Sequence, residues 1–253
     1  MNPYETDKLL AEYLLFHYGS PAEVLPYPDG PHAALGYPVR CISECVDPAR
    51  LPAGARGLDL GCAVGRSSFE LARHCSVVIG IDNSASFIAA AATLQTDGQL
   101  SYKRIDEGSL TTPLTARVPA DLDRSRVSFE RVDAQALPED LGTFDFVLMA
   151  NLIDRLPEPQ RCLRQLPQLL NPGGQLVITS PYTWMDDFTP REQWLGGIVR
   201  DGAPISTLDG LKKELSPHFE LTGTRDLPFL IREHARKFQW SVAQASLWTR
   251  HRL

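Results

Sequence analysis

Long hydrophobic runs are missing from this chain of 253 residues, in which no stretch approaches the roughly 18 apolar residues that would cross a bilayer. No block of lysine and arginine stands out, and the formal net charge of −6 at pH 7 argues against nucleic acid or an anionic membrane as a partner. The first five residues lack the basic and apolar regions of a signal peptide. We therefore expect a cytoplasmic protein without a membrane or nucleic-acid partner.

Cysteine is scarce: the chain has five, at positions 41, 45, 62, 75 and 162. Their number is odd, and they are widely scattered along the sequence. Disulfides are not expected in a reducing compartment. Cys41 and Cys45 are four residues apart and would share one face of a helix, but no second Cys or His pair completes a tetrahedral metal site. We predict no bound metal and interpret the pair as part of a buried face.

Strand and helix patterns alternate regularly from residue 56 onward. Apolar runs predict strands at 56–60, 77–81, 144–150 and 174–179, with helices at 66–74, 84–95 and 159–170. Such alternation is typical of a parallel sheet with helices on both faces. A chain of this length forms one large α/β domain, or such a domain with appendages.

Segments outside this alternation complete the predicted organisation. Residues 4–18 predict an N-terminal helix, 20–38 an irregular loop and 38–47 a second helix. We interpret 106–125 as a loop inserted between two strands of a hairpin, at 100–105 and 126–130, and 182–204 as a second insertion. A helix at 208–215 and strands at 219–224 and 238–249 close the domain.

The most informative stretch is DLGCAVG at 59–65, where the first strand passes into a helix. Gly61 and Gly65 would let a ligand approach the backbone, and the helix N-terminus presents free N–H groups, although a plain tight turn is the alternative. A dinucleotide fingerprint would need glycine at Ala63 and Arg66, so a pyrophosphate is not expected. The spacing resembles motif I of class I S-adenosylmethionine (SAM) methyltransferases. That likeness implies cofactor contacts from Asp59, Gly61, Cys62, Ala63, Gly65 and Arg66.

Three more landmarks follow in the order that this class shows. Asp82 and Asn83 follow the second strand, where a carboxylate can accept both ribose hydroxyls, although NAD-binding folds use the same device. Asp133 and Ala134 follow another strand, and in SAM enzymes an acid there meets the adenine amino group. Asn151 ends the buried strand at 144–150. Together the landmarks favour SAM as cofactor, with S-adenosylhomocysteine as its product.

A narrower resemblance covers nearly the whole chain. It is carried by YETDKLLAEYLLFHYG at 4–19, RCISEC at 40–45, LDLGCAVGRS at 58–67, VDA at 132–134, NLIDRL at 151–156 and SPYTW at 180–184. These strings resemble the 4-mercaptohistidine (5-thiohistidine) N-methyltransferases of ovothiol biosynthesis. The resemblance implies a Rossmann-like α/β fold, with a seven-stranded, mostly parallel sheet and an antiparallel last strand. It further implies an N-terminal helical cover at 1–54 and a SAM-binding core at 55–253.

The activity implied by this resemblance is methyl transfer from SAM to an imidazole nitrogen of 5-thiohistidine, which gives ovothiol A. The family occurs fused to a thiohistidine-forming synthase or alone. Because no synthase-like segment precedes the motifs here, we expect the stand-alone form, with a separate synthase upstream, acting as a monomer or homodimer on a small-molecule substrate.

Methyl transfer is an in-line displacement, so orientation and water exclusion supply much of the catalysis. A neutral imidazole needs no strong base, because its usual pKa is about 6.5. The protein must instead fix one tautomer, through a carboxylate or amide on the opposite ring N–H. Candidates follow strand ends, where open α/β sheets bind ligands. The catalytic candidates are Asp154 and Asn151, and the substrate-binding candidates are Tyr4, Tyr13, His17, Arg155, Tyr182, Trp184 and Arg232.

Each of these candidates has a structural alternative. Asp154 and Arg155 would cap or salt-bridge the next helix, Tyr182 and Trp184 would pack in the core, and His17 would be a structural histidine. Arg232 would belong to a solvated face. Three other functions stay open: a SAM methyltransferase for another small acceptor, a SAM-binding subunit without catalysis, and, more remotely, a nicotinamide dehydrogenase.

Overall fold

The structure, a computed structural model, describes residues 3–252, so residues 1, 2 and 253 of the predicted cover and core lie outside the described residues. The helices are α1 (Asp7–Tyr18), α2 (Pro21–Val24), α3 (Tyr37–Ser43), α4 (Arg66–Leu71), α5 (Ala85–Asp97), α6 (Pro159–Leu163), α7 (Leu166–Leu169) and α8 (Thr207–Leu215). The strands are β1 (Arg56–Leu60), β2 (Val77–Asp82), β3 (Gln99–Glu107), β4 (Leu110–Arg117), β5 (Val127–Arg131), β6 (Phe144–Ala150), β7 (Leu170–Ser180), β8 (Ile198–Arg200), β9 (Ala203–Ile205), β10 (Phe219–His234) and β11 (Lys237–Arg250).

Seven of these strands form one sheet in the order β10-β11-β7-β6-β1-β2-β5. β11 runs antiparallel to both β10 and β7, whereas the pairs from β7 to β5 are parallel. One apolar cluster packs α1, α3, α4 and α5 against one face, and a second packs α6, α7 and α8 against the other. The predicted Rossmann-like sheet with an antiparallel last strand is therefore confirmed.

The chain reverses its direction of travel across the sheet at β1. β1 pairs with β2 on one side and with β6 on the other, so the connections leave it in opposite directions. Such a switch point opens a crevice beyond the carboxyl ends of the strands, where α/β proteins bind ligands. The motif at 59–65 lies at this point.

The insertion after α5 differs from its prediction. β3 and β4 pair with each other in a separate two-stranded sheet, and β5 joins β2 in the main sheet as a parallel edge strand. The interpretation of 106–125 as a loop between paired strands at 100–105 and 126–130 is therefore wrong. Pro113 indicated a loop, but it lies in a two-stranded ribbon, where a residue without an N–H is tolerated.

Several boundaries also differ. The predicted helix at 159–170 is split into α6 and α7, because Pro167 lacks the N–H and crowds the preceding turn. The predicted strand at 219–224 continues to residue 234, so that β10 and β11 form one long hairpin. The loop at 20–38 contains α2 and a single turn at 32–34.

The N-terminal helix packs across the structure rather than extending from it. Thr6 caps the N-terminus of α1: its side chain accepts a hydrogen bond from the Leu9 N–H at 3.2 Å. The helix packs against β3, β4 and β10, with Leu14 and Leu15 buried. Within the described range, no helix has the length and apolar character needed to cross a membrane.

Candidate active site

A cavity of about 380 Å³ lies at the carboxyl edge of the sheet, beneath the N-terminal segment and α1. This volume is typical of a small-molecule site. More than half of the predicted site residues line it, namely Tyr4, Tyr13, His17, Gly61, Ala63, Asp82, Asn83, Asp133, Ala134, Asn151 and Arg155. The motifs that are distant in sequence therefore meet around one space.

The turn after β1 is built from left-handed residues. Gly61, Ala63 and Gly65 have φ values of 79°, 48° and 83°. The Gly61 and Cys62 N–H groups both donate to the Ile81 carbonyl, at 2.8 and 2.9 Å, which ties the turn to β2. Only Gly61 and Ala63 of this turn line the cavity.

Gly65 has a packing role that the sequence did not reveal. A Cβ at this position would lie 2.4 Å from the Phe129 ring, which occupies the space that a side chain would need. Gly65 does not line the cavity. The structure thus gives Gly65 two reasons to be glycine that do not involve a ligand: its left-handed φ of 83°, and the close packing of β5 against the start of α4.

Asp59 lies beneath the turn, fully buried, and also outside the cavity lining. One of its oxygens accepts hydrogen bonds from the Ser67 and Ser68 hydroxyls, both at 2.6 Å. Burial raises the pKa of Asp59 to about 6, although the two serine hydrogen bonds act in the opposite direction. Its carboxylate therefore joins β1 to α4 instead of facing the cavity.

This raised pKa predicts a pH-dependent penalty on folding. The unfolded carboxyl ionises near 3.8 and the folded one near 6, so the folded state loses stability as pH rises between these values. A shift of about two pKa units corresponds to about 3 kcal/mol. We expect the melting temperature of Asp59→Asn, relative to wild type, to rise between pH 4 and 6 and to level off above. A difference that does not change with pH would contradict this assignment, and Asp226→Asn on β10 is the exposed control.

Cys62 and Arg66 are the remaining predicted cofactor residues that do not line the cavity. Cys62 is buried in the turn, and Arg66 pairs with Glu70 one helical turn later at 2.8 Å. All five cysteines are buried free thiols.

The Arg66 charge acts on the neighbouring His17. Burial, helped by Arg66, lowers the pKa of His17 to about 3, so this histidine is neutral.

Asp82 ends β2 at the rim of the cavity. Its two oxygens accept hydrogen bonds from the Ala63 and Ser84 N–H groups, at 3.0 and 2.8 Å. Burial raises the pKa of Asp82, and the backbone hydrogen bonds oppose that change. Each carboxylate oxygen has used one lone pair, so the group keeps acceptor capacity for further donors.

Asn151 follows β6 in a left-handed conformation, with φ of 52°. Its N–H donates to the Thr179 carbonyl at 2.8 Å. Its side-chain Oδ1 accepts from the Tyr37 hydroxyl at 2.8 Å, and that hydroxyl lies 2.6 Å from Thr179 Oγ1. A non-glycine residue held in this backbone region indicates a position that the surrounding structure fixes.

Asp154 is fully buried and does not line the cavity, whereas Arg155 does. Asp154 Oδ2 accepts from Arg155 Nη1 at 2.9 Å and from the Thr183 N–H at 3.0 Å. Burial raises the pKa of Asp154, and the Arg155 charge opposes this. Arg155 also lies 5.0 Å from the centre of the Phe188 ring. Asp154 thus acts as an anchor for Arg155, and these contacts join the pair to Thr183 and Phe188, whereas the structural alternative placed them with the next helix.

Aromatic side chains form a second group of lining residues, which we call the aromatic wall. Tyr13 lies 6.0 Å from Tyr4 and 4.8 Å from Phe87, measured between ring centroids. Phe16 is stacked on Tyr37 at 5.9 Å. Desolvation raises the pKa of Tyr4 even though Arg155 lies beside its hydroxyl and acts in the opposite direction. The wall is therefore mainly aromatic, and Arg155 adds a cationic group to it.

The N-terminal segment is fastened over this wall by its own polar groups. The Glu5 carboxylate accepts from the Ala85 and Ser86 N–H groups, at 2.7 and 3.2 Å, and so caps the start of α5. Desolvation would raise the pKa of Glu5, but these backbone hydrogen bonds hold it below its usual value. At the other end of α1, the Tyr18 hydroxyl donates to the Val64 carbonyl at 2.8 Å.

Removal of the Glu5 carboxylate is expected to loosen the cover without unfolding the sheet. In Glu5→Ala the segment loses its two backbone donors, so SAM affinity should fall severalfold and limited proteolysis should cut sooner within residues 5–19. Calorimetry and a digestion time course measure both effects. Glu107→Ala, in the separate β3–β4 hairpin, is the matched control; unchanged affinity in Glu5→Ala would show that the contact does not serve the site.

Three predicted substrate residues lie elsewhere. The Tyr182 hydroxyl donates to Gln244 at 3.0 Å, and the Trp184 indole donates to Thr207 at 2.9 Å. Arg232 is buried, and its guanidinium donates to the Glu23 carbonyl at 2.7 Å. The first two follow their packing alternative. Arg232 matches neither interpretation, because its hydrogen bond to Glu23 fastens α2 to β10.

Sequence reasoning missed other residues of the lining, namely Tyr37, Phe87, Gln135, Asp187, Phe188 and Ile231. Phe87 lies on the helix that follows Asp82, so the helical spacing could have found it. Phe188 lies in the insertion at 182–204, where no periodic pattern indicates which side chain turns inward. Ile231 reaches the cavity only because β10 is longer than predicted.

Comparison with known proteins agrees with this geometry. Residues 51–223 match the family model described as a methyltransferase domain, and the chain belongs to that family. Its fold and site place it among the class I SAM-dependent methyltransferases, and the protein is an enzyme of that class. This family replaces the alternative of a nicotinamide dehydrogenase.

The similar proteins are spread over several activities. The chain is 27% identical over 127 residues to a protein of Coxiella burnetii named ubiquinone biosynthesis O-methyltransferase, covering 50% of this chain and 44% of that protein. The protein of the same name from Xanthomonas axonopodis is 29% identical over 156 residues, with 60% and 54% covered. The chain thus spans about half the length of these curated relatives.

Two solved structures share the fold. The N-methyltransferase NodS from Bradyrhizobium japonicum, in complex with S-adenosylhomocysteine, matches with a TM-score of 0.50 and 16% identity, covering 95% of this chain and 98% of NodS. A SAM-dependent methyltransferase from Methanosarcina mazei matches with a TM-score of 0.52 and 20% identity, covering 80% and 95%. At these identities the likeness establishes the fold alone.

Proposed function

We propose that this enzyme transfers the methyl group of SAM to an imidazole nitrogen of 5-thiohistidine, giving ovothiol A and S-adenosylhomocysteine. The observation that carries the proposal is the pairing of walls in one cavity. Asp82 and the Gly61–Ala63 turn form one wall, and the other is aromatic with Arg155 as its cation. The resemblance carried by residues 4–19, 151–156 and 180–184 supplies the identity of the methyl acceptor.

The first wall fits SAM. Asp82 keeps acceptor capacity on both oxygens, as two ribose hydroxyls require. We assign Asn83, Asp133 and Ala134 to the nucleoside, because they line the cavity and follow β2 and its neighbour β5, and Gly61 and Ala63 to the amino acid end. When bound, SAM supplies an electrophilic methyl group on a sulfonium. Asp59, Cys62, Gly65 and Arg66 support this wall from behind.

The second wall fits an amino acid with a flat ring. Arg155 presents a planar fork of donors, and its bonds to Asp154 and Thr183 use Nη1 alone. The other guanidinium nitrogens remain for Tyr4 and for a carboxylate, which arginine binds with two parallel hydrogen bonds. Tyr13, His17 and the neighbouring aromatic side chains would hold the imidazole ring and exclude water. In this proposal, residues 1–54 cover the site and 55–253 form the core.

The chemistry of the wall favours a nitrogen acceptor over a phenol. A phenol must lose a proton with a pKa near 10 before it attacks, which calls for a base. His17 lines the cavity, but burial lowers its pKa to about 3, which leaves the Asp133 and Asp187 carboxylates as the other candidate bases in the lining. A neutral imidazole nitrogen attacks without prior deprotonation. O-methylation, the activity given in the names of the curated relatives, is therefore the second candidate.

Turnover tests the proposal. The purified protein is incubated with SAM and either 5-thiohistidine, histidine or a catechol, and products are followed by mass spectrometry. We expect one methyl group added to 5-thiohistidine, with an equal amount of S-adenosylhomocysteine. Methylation of the catechol alone would favour the second candidate. Binding of SAM without any methylated product would contradict the proposal and indicate a methyl acceptor other than these three.

A further inference from the structure

Asn151 lines the cavity and is joined to the aromatic wall through Tyr37. Its backbone is fixed by the N–H bond to Thr179, and its side chain is held by the Tyr37 hydroxyl, which comes from α3 on the aromatic side. Tyr37 is itself locked between the Phe16 and Phe229 rings, with centroids at 5.9 and 5.0 Å. The orientation of the Asn151 amide is therefore set by its partners rather than by solvent.

The hydroxyl protons determine which end of the amide faces the cavity. Tyr37 and Thr179 are buried and each has one hydroxyl proton to donate. If the Tyr37 hydroxyl donated to Thr179 Oγ1, the Thr179 hydroxyl proton would have no acceptor within hydrogen-bond distance among residues 3–252. Both protons are used only in the direction Thr179 to Tyr37 to Asn151 Oδ1. Burial raises the pKa of Tyr37 well above its usual value, so the hydroxyl keeps the proton that it donates.

With Oδ1 engaged, the NH₂ group is the part of Asn151 that remains for a ligand. Asn151 lines the cavity, so the site offers a hydrogen-bond donor to a bound ligand. A donor at this position selects a ligand atom with a free lone pair. A ligand N–H placed there would meet a second donor and would be disfavoured.

We propose that Tyr37 and Thr179 are positioning residues that hold Asn151 as a donor, and that Asn151 recognises the ring sulfur of the methyl acceptor. This inference rests on the proposed function. In a neutral thiolated imidazole, the nucleophilic nitrogen must direct its lone pair at the methyl group, and the other nitrogen carries a hydrogen. The sulfur is the acceptor left on the ring, and the carboxylate is assigned to Arg155.

This arrangement gives a reason for the enzyme to prefer a thiolated ring. Histidine has the same amino acid end and the same imidazole but lacks the sulfur. When it enters the cavity, the Asn151 NH₂ is left without a partner in a water-poor site. Sites built around such a hydrogen bond discriminate strongly against ligands that lack the matching atom.

The test compares two ligands in three variants. For each protein, kcat and KM are measured with 5-thiohistidine, Ki is measured for histidine as a competitor, and S-adenosylhomocysteine affinity is measured by calorimetry. Asn151→Asp replaces the donor by a carboxylate, so kcat/KM for 5-thiohistidine should fall about 10- to 100-fold. The histidine Ki should change by less than about threefold, because histidine does not use this hydrogen bond.

The variants of Tyr37 and Thr179 should raise the 5-thiohistidine KM by different amounts. In Tyr37→Phe the rings remain stacked but Asn151 loses its acceptor contact, so the 5-thiohistidine KM should rise about 3- to 10-fold. Thr179→Val should have a smaller effect, because Tyr37 still donates to Asn151. S-adenosylhomocysteine affinity should stay within about twofold in both variants. Tyr102→Phe, which removes a tyrosine hydroxyl from β3 outside the cavity, is the matched control.

Equal losses for 5-thiohistidine and histidine, or losses that follow S-adenosylhomocysteine affinity and melting temperature, would overturn the inference and indicate a structural relay. If the proposed function itself is wrong, the wild-type enzyme will form no methylated 5-thiohistidine, which is a different result. An active wild type with unchanged ligand preference in Asn151→Asp would contradict the sulfur assignment alone.

Discussion

Asp82→Ala is expected to raise the dissociation constant of SAM about 100-fold or more, because two hydrogen bonds from ribose hydroxyls to a carboxylate are lost together. The carboxylate lies at the rim of the cavity at the end of β2, and its engaged lone pairs leave capacity for both hydroxyls. Calorimetry with SAM and with S-adenosylhomocysteine measures the effect. Both ligands should weaken equally, since they share the nucleoside.

A second variant separates binding from folding. Asp82 also accepts the Ala63 and Ser84 N–H groups, so the alanine variant leaves two backbone donors without their partner. Asp82→Asn keeps one acceptor oxygen and should be closer to wild type in melting temperature, while still binding SAM at least tenfold more weakly. Unchanged SAM affinity in a folded Asp82→Asn protein would refute the ribose assignment. Asp226→Asn serves as the exposed control.

Arg155→Ala should raise the KM for 5-thiohistidine about 100-fold, because a charged, two-point contact with the substrate carboxylate is lost. The KM for SAM should change by less than about threefold, since the nucleoside lies against the other wall. Steady-state kinetics with each substrate varied in turn measures the two effects. Equal increases in both KM values would mean that Arg155 has a structural role only.

The buried Asp154 complicates this variant and also provides its control. Without Arg155 the Asp154 carboxylate keeps the Thr183 N–H but loses its counter-charge, which costs about 3–5 kcal/mol for a buried ion. In the double variant Asp154→Asn with Arg155→Ala, that charge is absent, so stability should return towards wild type. The 5-thiohistidine KM should stay high in the double variant. Asp154→Asn alone should raise it less, because Asp154 acts only by anchoring Arg155.

The parts of the site that could be predicted from sequence are those set by local chain geometry. The turn at 59–65 follows from a strand, small residues and a helix start in sequence, and Asp82 follows from the end of an apolar run. Each of these predictions needed only a few neighbouring residues. The order of landmarks along the chain then predicted the sheet, because parallel strands joined by helices leave few arrangements.

The parts that could not be predicted depend on contacts between distant segments. β5 shows no local sign that it pairs with β2 and not with the strand before it, because strand pairing is decided by burial across the sheet. Trp184 has the character of a ligand-binding aromatic residue, but its indole bonds Thr207. Gly65 has the spacing of a cofactor glycine, yet the Phe129 ring explains why it must be glycine.

Asp154 and Arg155 show the same limit within one motif. They are adjacent in sequence and both polar, and the sequence could not separate an anchor from a cavity residue. The turn after β6 places Asp154 inside the protein and directs Arg155 to the cavity. A division of roles between neighbours of this kind becomes visible only when the surrounding loop, here the segment at Thr183, is in place.

The central claim is that one cavity brings the sulfonium methyl of SAM against a ring nitrogen of 5-thiohistidine. A crystal structure of the protein with S-adenosylhomocysteine and 5-thiohistidine tests it most directly. The account predicts the ribose at Asp82, the amino acid carboxylate at Arg155 and a ring nitrogen in line with the thioether sulfur. A nucleoside bound away from Asp82, or an imidazole whose nitrogens both point away from that sulfur, would contradict it.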